Sequence, residues 1–156
     1  MIAQWKTQRP DLDSAGMAVV LRLQMLAGLL GDRLKETLAP AGLAPWEYDV
    51  LSALRRGGGS QGLTPKELCQ SAQLTSGAMT HRIDRLEERK LVRRRSSKDD
   101  RRSVSVLLTP KGKALVDGIL GERMRDASHS LASLPAKDRR ELVRILRTLY
   151  QGLDSA

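Results

Sequence analysis

The chain changes its hydrophobic period near residue 91, and few folds accommodate that change. Up to Leu86 the apolar residues recur at three- and four-residue spacing, whereas Ser103-Val104-Ser105-Val106 alternates strictly. A period of 3.6 puts apolar side chains on one face of a helix, and a period of 2 puts them on one face of a strand. The runs Leu91 to Arg95 and Ser103 to Leu108 flank a wholly polar stretch, Ser96 to Arg102, so the pattern predicts a β-hairpin with a charged tip. Two short helices are predicted just before it. Thr64-Pro65-Lys66-Glu67 supplies an N-cap, a proline at the first helical position and a glutamate at the third, a capping box for a helix through Ala72. Thr75 or Ser76 caps the next helix, which carries Ala78, Met79, Ile83 and Leu86 and ends around Lys90. Two short capped helices joined by a tight turn make a helix-turn-helix unit.

The remaining segments are helical. Asp13 to Leu38 forms a long helix stopped by Ala39-Pro40-Ala41-Gly42, and a second runs from about Pro45 to Arg56 before Gly57-Gly58-Gly59-Ser60. Thr109-Pro110 caps a helix over roughly Lys111 to Leu131; Leu134-Pro135 breaks the chain, and a final helix begins at Ala136. The fold class is therefore mainly α with a small β-hairpin, a winged helix-turn-helix framed by terminal dimerisation helices. Residues 1–44 form an N-terminal arm and long dimerisation helix, 45–110 the winged lobe, and 111–156 the C-terminal dimerisation helices. The first long helix carries too wide an apolar surface for one core-facing stripe, which in a chain this small favours packing against a second subunit.

Charge narrows the partners. The 156 residues carry a net charge of +9, and the 39 residues from Thr75 to Lys113 hold 12 basic and 5 acidic side chains, or +7 of it. A local cationic patch calls for a polyanion, either nucleic acid or an acidic membrane surface. With 40% hydrophobic residues the chain buries a core. One cysteine, Cys69, makes neither an internal disulfide nor a multi-cysteine zinc site, and His81 and His129 lack metal-ligand spacing, so no metal or cofactor is expected. The most apolar stretch, Ala15 to Gly31, is interrupted by Arg22 and Gln24 and reads as a buried helix rather than a membrane span or signal peptide. The expected setting is the cytoplasm.

The candidate interface has two parts. The helix from Thr75 to Lys90 places Ser76, Met79, Thr80, His81 and Arg85 mostly in its N-terminal half, where recognition helices meet base edges in the major groove. Thr80 and His81 are the leading candidates for base contacts, with Ser76 and Arg85 beside them; the bland alternative is a solvated polar face. At the hairpin tip Arg101 and Arg102 follow Asp99-Asp100, and either arginine suits a narrow minor groove. Arg93, Arg94 and Arg95 lie close by, and such clustering costs self-repulsion unless an anion relieves it.

These residues carry a resemblance. Leu63-Thr64-Pro65-Lys66-Glu67-Leu68, Thr75 to Glu87, Leu91-Val92-Arg93-Arg94, Asp100-Arg101-Arg102 and Leu108-Thr109-Pro110-Lys111-Gly112 resemble the MarR family of transcriptional regulators over most of the chain. The resemblance implies a homodimeric winged helix with intertwined terminal helices. One departure is visible: the family usually ends its recognition helix on glycine, and here Lys90 stands there. Trp5 with Arg9-Pro10-Asp11-Leu12-Asp13, Trp46-Glu47-Tyr48-Asp49-Val50-Leu51 and Ser76-Gly77-Ala78-Met79-Thr80 look like the urate-responsive branch, which has an extra N-terminal helix. Carried over position by position, its ligand residues are Trp5, Asp49, Arg56 and Arg82, holding a small anionic aromatic such as urate. Each has a plainer alternative: Trp5 as a core cover, Asp49 and Arg82 as a structural salt bridge, Arg56 as a complement to its own helix dipole. Cys69 reads as a buried helix residue, and Met17, Met25 and Met124 as core filler.

The expected function is a ligand-responsive regulator, a repressor, that binds double-stranded DNA as a homodimer on a near-palindromic operator. The alternatives are a winged-helix interaction module, or a DNA-binding regulator without a small-molecule effector. An enzyme is not expected, because no nucleophile, base or metal set is assembled.

Overall fold

Two helices precede the charged half of the chain: α1 (Ile2–Gln8) and α2 (Ala15–Leu38). The computed structural model describes residues 2–72, 76–96 and 104–154. Helix α2 begins two residues later than the sequence pattern places it, because Asp13 Oδ1 accepts the Ala15 N–H (2.9 Å) and so stands outside the helix. It ends in a 3₁₀ turn, Ala39–Ala41, after which Gly42 adopts φ +60° and the chain turns into α3 (Pro45–Gly57).

Helix α3 is the centre of the fold, with seven of its thirteen residues buried: Glu47, Tyr48, Val50, Leu51, Ser52, Ala53 and Leu54. Burial on so many sides follows from its neighbours. Leu38 and Leu43 pack on it from one direction, Leu68 of α4 (Pro65–Ala72) from another, and Met79, Ile83 and Leu86 of α5 (Ser76–Glu88) complete the cluster. The spacing of Met79, Ile83 and Leu86 puts all three on the inner side of α5. At the start of α4 the capping box is complete: Thr64 N–H and Oγ1–H donate to Glu67 Oε2 (2.7 and 2.8 Å), and Glu67 N–H donates to Thr64 Oγ1 (3.3 Å). The Thr64 amide, and then its hydroxyl, hold the Glu67 carboxyl below the ordinary glutamate range.

The hairpin consists of antiparallel β1 (Val92–Ser96) and β2 (Val104–Leu108), paired Val92 with Leu108 through Ser96 with Val104. Leu63 adds a third short rung, since its N–H and the Val106 N–H donate to one another's carbonyls (3.0 and 2.7 Å).

The join between α5 and β1 fixes where the hairpin goes. Leu91 N–H donates to Leu86 O (2.9 Å) and Lys90 N–H to Glu87 O (2.8 Å), the two bonds of a Schellman cap. Lys90 takes the left-handed position at φ +59° although it is not glycine, so the corner keeps the usual geometry, and the helix closes two residues before it. Buried Leu86 and Leu91 supply the apolar contact of the motif. Helix α6 (Pro110–Ser130) docks on this corner: Thr109 N–H donates to Leu91 O (3.0 Å), Thr109 Oγ1–H donates to Lys90 O (2.8 Å), and the same oxygen caps Gly112 N–H (3.0 Å). Only glycine fits at 112, where a Cβ would lie 2.0 Å from the Leu91 carbonyl oxygen. The first half of α6 then enters the same core through Val116 and Ile119, and Arg55 Nε on α3 donates to Asp117 Oδ1 (2.7 Å).

The chain divides into two compact units, one up to Leu120 and the other from Gly121. The second contains the end of α6 and α7 (Ala136–Asp154), with Arg139 Nε donating to Leu134 O (2.8 Å) at the turn between them. Both units leave apolar helix faces open. On α2, Met17, Val19, Val20, Met25, Leu26, Leu29 and Leu30 are 48–64% exposed, and Leu38 is its one buried residue. On α7, Ile145, Leu146, Leu149 and Leu153 form a stripe at helical spacing and are likewise exposed. By length and composition alone, the segment from Ala15 to Ala41 also suffices to cross a bilayer.

Two substitutions at the corner should move stability in opposite directions. Lys90→Gly relieves the left-handed strain of an exposed side chain; after the entropy that glycine adds to the unfolded chain, the gain should be about 0.5–1 kcal/mol. Gly112→Ala drives a methyl into the Leu91 carbonyl and should cost on the order of 3 kcal/mol. Urea denaturation of the two variants beside the parent protein measures both.

Candidate nucleic-acid interface

With Met79, Ile83 and Leu86 turned inward, α5 exposes Gly77, Ala78, Thr80, His81 and Arg85. His81 and Arg85 are one turn apart and share the outer side. Of the other residues read from the sequence, the Ser76 side chain and all of Arg101 and Arg102 lie outside the described residues. The structure therefore assembles Thr80, His81 and Arg85 on one exposed helix.

The triple arginine is sorted by strand alternation. Arg94 faces α5: its Nη2 donates to Asp84 Oδ1 and its Nη1 to Glu87 Oε2 (both 2.5 Å), while its backbone N–H donates to Glu87 Oε1 (2.9 Å). Asp84 first, and Glu87 after it, hold the guanidinium above its ordinary value, against the opposing effect of partial burial. Arg95 faces the other way and donates to Ser60 O (3.2 Å), Gln61 O (2.8 Å) and Gln61 Oε1 (2.9 Å), pinning the glycine-rich turn after α3. The sequence pattern called for an external anion to relieve all three arginines. For Arg94 that expectation is corrected, because its counter-charges come from α5 itself.

A second clamp holds the far end of the reading helix. Arg89 Nη1 donates to Glu47 Oε1 (2.5 Å) and Nη2 to Gly42 O (3.1 Å), while Glu47 Oε2 accepts the Ala44 N–H (2.8 Å) at the start of α3. Glu47 is buried, so this pairing is what makes its charge tolerable inside the core. Sequence reasoning missed this clamp and the Arg94 pairing. Glu47 stood in plain view as the third residue of α3, and Asp84 and Glu87 are spaced to share one face of α5.

The four ligand residues implied by resemblance do not line one cavity within the chain. Arg82 lies over the Trp46 ring, with Cζ 5.3 Å from its centroid, a cation–π contact that the sequence did not single out. Asp49 and Arg56 are exposed on α3, two turns apart. Trp5 lines a separate cavity of about 230 Å³ at the α1–α2 junction, with Arg9, Leu12, Asp13, Ser14 and Met17. Arg9 beside it is held by Asp11 (Nε–Oδ1 2.8 Å, Nη2–Oδ2 2.6 Å). Cys69 is a half-buried residue of α4 packed against the core. Among the described residues no group of three or more His, Cys, Asp or Glu side chains is placed to hold a metal ion.

Two helices separated by three residues of sequence, the second with a polar outer face, followed by paired strands tied to that helix by Arg94, constitute a winged helix-turn-helix of the kind that binds DNA. Comparison with known proteins agrees. The family model described as MarR family matches residues 41–103. The HTH-type transcriptional regulator PecS of Dickeya dadantii (strain 3937) is 30% identical over 153 residues, covering 98% of this chain and 92% of that one. Among solved structures, AbsC, a MarR family transcriptional regulator from Streptomyces coelicolor, superposes with a TM-score of 0.83 at 24% identity over 93% of this chain and 97% of that one. BpsR of Bordetella bronchiseptica, whose DNA binding is regulated by 6-hydroxynicotinic acid, superposes with a TM-score of 0.75 at 25% identity over 85% and 98%. The chain belongs to the MarR family of DNA-binding transcriptional regulators and is not an enzyme.

Arg94→Gln tests the tie between wing and reading helix. Because the pairing is partly solvent-exposed, it should contribute only about 1 kcal/mol, which corresponds to roughly fivefold faster amide exchange where the loss is felt. The acceleration should fall on β1 and β2 and spare the buried turn of α5 around Ile83, as read by hydrogen–deuterium exchange.

Proposed function

We propose that the protein is a repressor that binds a near-palindromic operator as a homodimer in the cytoplasm and is released by a small organic anion such as urate. The observation that carries the DNA part is the orientation of α5: its apolar side is consumed by the core, so Thr80, His81 and Arg85 face outward together. Ser76 joins them at the start of the helix, and Arg101 or Arg102 enters the adjacent minor groove from the hairpin tip. Half-sites then lie about one helical turn apart, roughly 10 bp. Residues 45–110 act as the DNA-binding lobe, and residues 1–44 and 111–156 as the dimerisation segments. The exposed apolar faces of α2 and α7 support that assignment, since each would be costly to leave in water.

For the effector, the support is the set Trp5, Asp49, Arg56 and Arg82. A flat anion offers a ring to Trp5 and charge to the arginines. Arg82 belongs to the reading helix, so a ligand that draws its guanidinium away from Trp46 acts directly on the spacing of the two helices in the dimer. BpsR, whose regulator is also a small aromatic acid, lends this reading an analogue.

Selection of bound duplexes from a random pool tests the DNA reading. His81→Ala should relax sequence preference with little loss of non-specific affinity, and Arg102→Ala or Arg101→Ala should weaken operator binding about tenfold with the fold intact. An unchanged preference removes His81 from the readers.

Urate added to the protein–operator complex should release the duplex and raise the melting temperature of the free protein. Trp5→Ala and Arg82→Ala should abolish both responses. If millimolar urate neither releases DNA nor stabilises the protein, the urate reading fails while the DNA reading stands.

A further inference from the structure

The end of the reading helix is gripped at one residue by both segments that flank the lobe. The Arg89 side chain reaches back to the junction of α2 and α3, where Nη2 donates to Gly42 O (3.1 Å) and Nη1 to Glu47 Oε1 (2.5 Å). Its carbonyl is taken from α6, since Lys111 Nζ donates to Arg89 O (3.1 Å). We propose, on the reading of the protein as a homodimer on a near-palindromic operator, that Arg89 is a positioning residue for that operator. It sets the angle of α5 to the flanking segments, and thereby the half-site spacing that the dimer accepts.

Three observations carry it. The first is where the grip falls. Gly42 is the elbow after α2, at φ +60°, and its own N–H donates to Ala39 O (3.0 Å). The planar guanidinium of Arg89 therefore joins that elbow and the first turn of α3 through one rigid group. Leu91 and Arg94 tie α5 to α6 and the hairpin inside the lobe, whereas Arg89 ties it to the end of the long α2.

The second is that Glu47 is fully committed. It is only 6% exposed; Oε2 accepts the Ala44 N–H (2.8 Å) and Oε1 accepts Arg89. An exposed carboxylate exchanges its partner for water at little cost, but a buried one left without its cation is strongly destabilising. The pair therefore holds when DNA loads the helix.

The third is leverage. Arg89 N–H donates to Arg85 O (3.2 Å), so Arg89 continues the hydrogen bonding of α5. His81 and Arg85 stand on the exposed side two turns and one turn before it, and a rigid helix carries any rotation at Arg89 to both. One base pair added between half-sites displaces one of them by about 3.4 Å and turns it by about 35°, and a helix held at this point does not follow.

The test is a binding assay on the best duplex recovered from the random pool and on versions with one base pair added or removed between its half-sites. An isolated half-site serves as control. The parent should prefer its own spacing by about tenfold or more, and Arg89→Gln should reduce that preference about fivefold while half-site affinity stays within about twofold. Because Arg89→Gln strands a buried carboxylate, it should also melt below the parent. Adding Glu47→Gln removes that charge and restores the parental net charge. The double variant should recover most of the lost melting temperature, yet its spacing preference should stay weak. The proposal is overturned if Arg89→Gln keeps the parental preference, if the double variant regains preference together with stability, or if half-site affinity falls as much as the preference. A parent that binds every spacing alike defeats the operator reading and this inference with it. A parent that discriminates, beside an Arg89→Gln that discriminates equally, defeats this inference alone.

Discussion

The carbonyl of Leu91 is the point on which the rest of the lobe depends. It accepts the Thr109 N–H and lies against the bare Cα of Gly112, while its own N–H closes the cap of α5. The end of the reading helix, the first residue before the hairpin and the start of α6 are thereby fixed within one residue of each other. Neither an exposed ion pair nor an apolar contact would set these angles as tightly, because the approach is limited by backbone against backbone. Buried Glu47, paired with the exposed Arg89, holds the other flank of the same helix end, so α5 is oriented from two sides before any DNA is present.

Such preorganisation matters for a protein that binds DNA. Positioning α5 and the hairpin as one body means that binding need not spend free energy on ordering them. It also means that a ligand has few places from which to act. Arg82, whose guanidinium rests on the Trp46 ring and not in the core, is one joint left open. The remaining joints are closed by close packing.

Much of this was legible in the sequence because it rests on local rules. The Thr64–Glu67 capping box, the proline at the start of α3, the period switch at residue 91 and the Thr109 cap each follow from a few neighbouring residues. Helix ends were less legible. Asp13 looked like part of α2 but caps it from outside, and α5 stops at Glu88 because Lys90 accepts a conformation usually left to glycine. The side-chain pairings were the least legible. Arg94 with Asp84 and Glu87, Arg89 with Glu47, and Arg82 with Trp46 join residues 7–42 positions apart, and adjacency in space cannot be counted off along the chain. The ligand residues suggested by resemblance illustrate the same limit: Trp5 has its own cavity, apart from the other three.

Two consecutive arginines of β1 differ in nothing but parity, yet Arg94 is spent on the reading helix and Arg95 on the turn after α3. Chemistry cannot tell them apart; only the pleat does. Their duties are therefore encoded by reading frame. Deleting Val92 would leave the charge unchanged, but it would remove a core side chain and move every arginine onto the opposite side of the strand. Such a segment tolerates substitution at its solvent-facing positions far better than any change in its length.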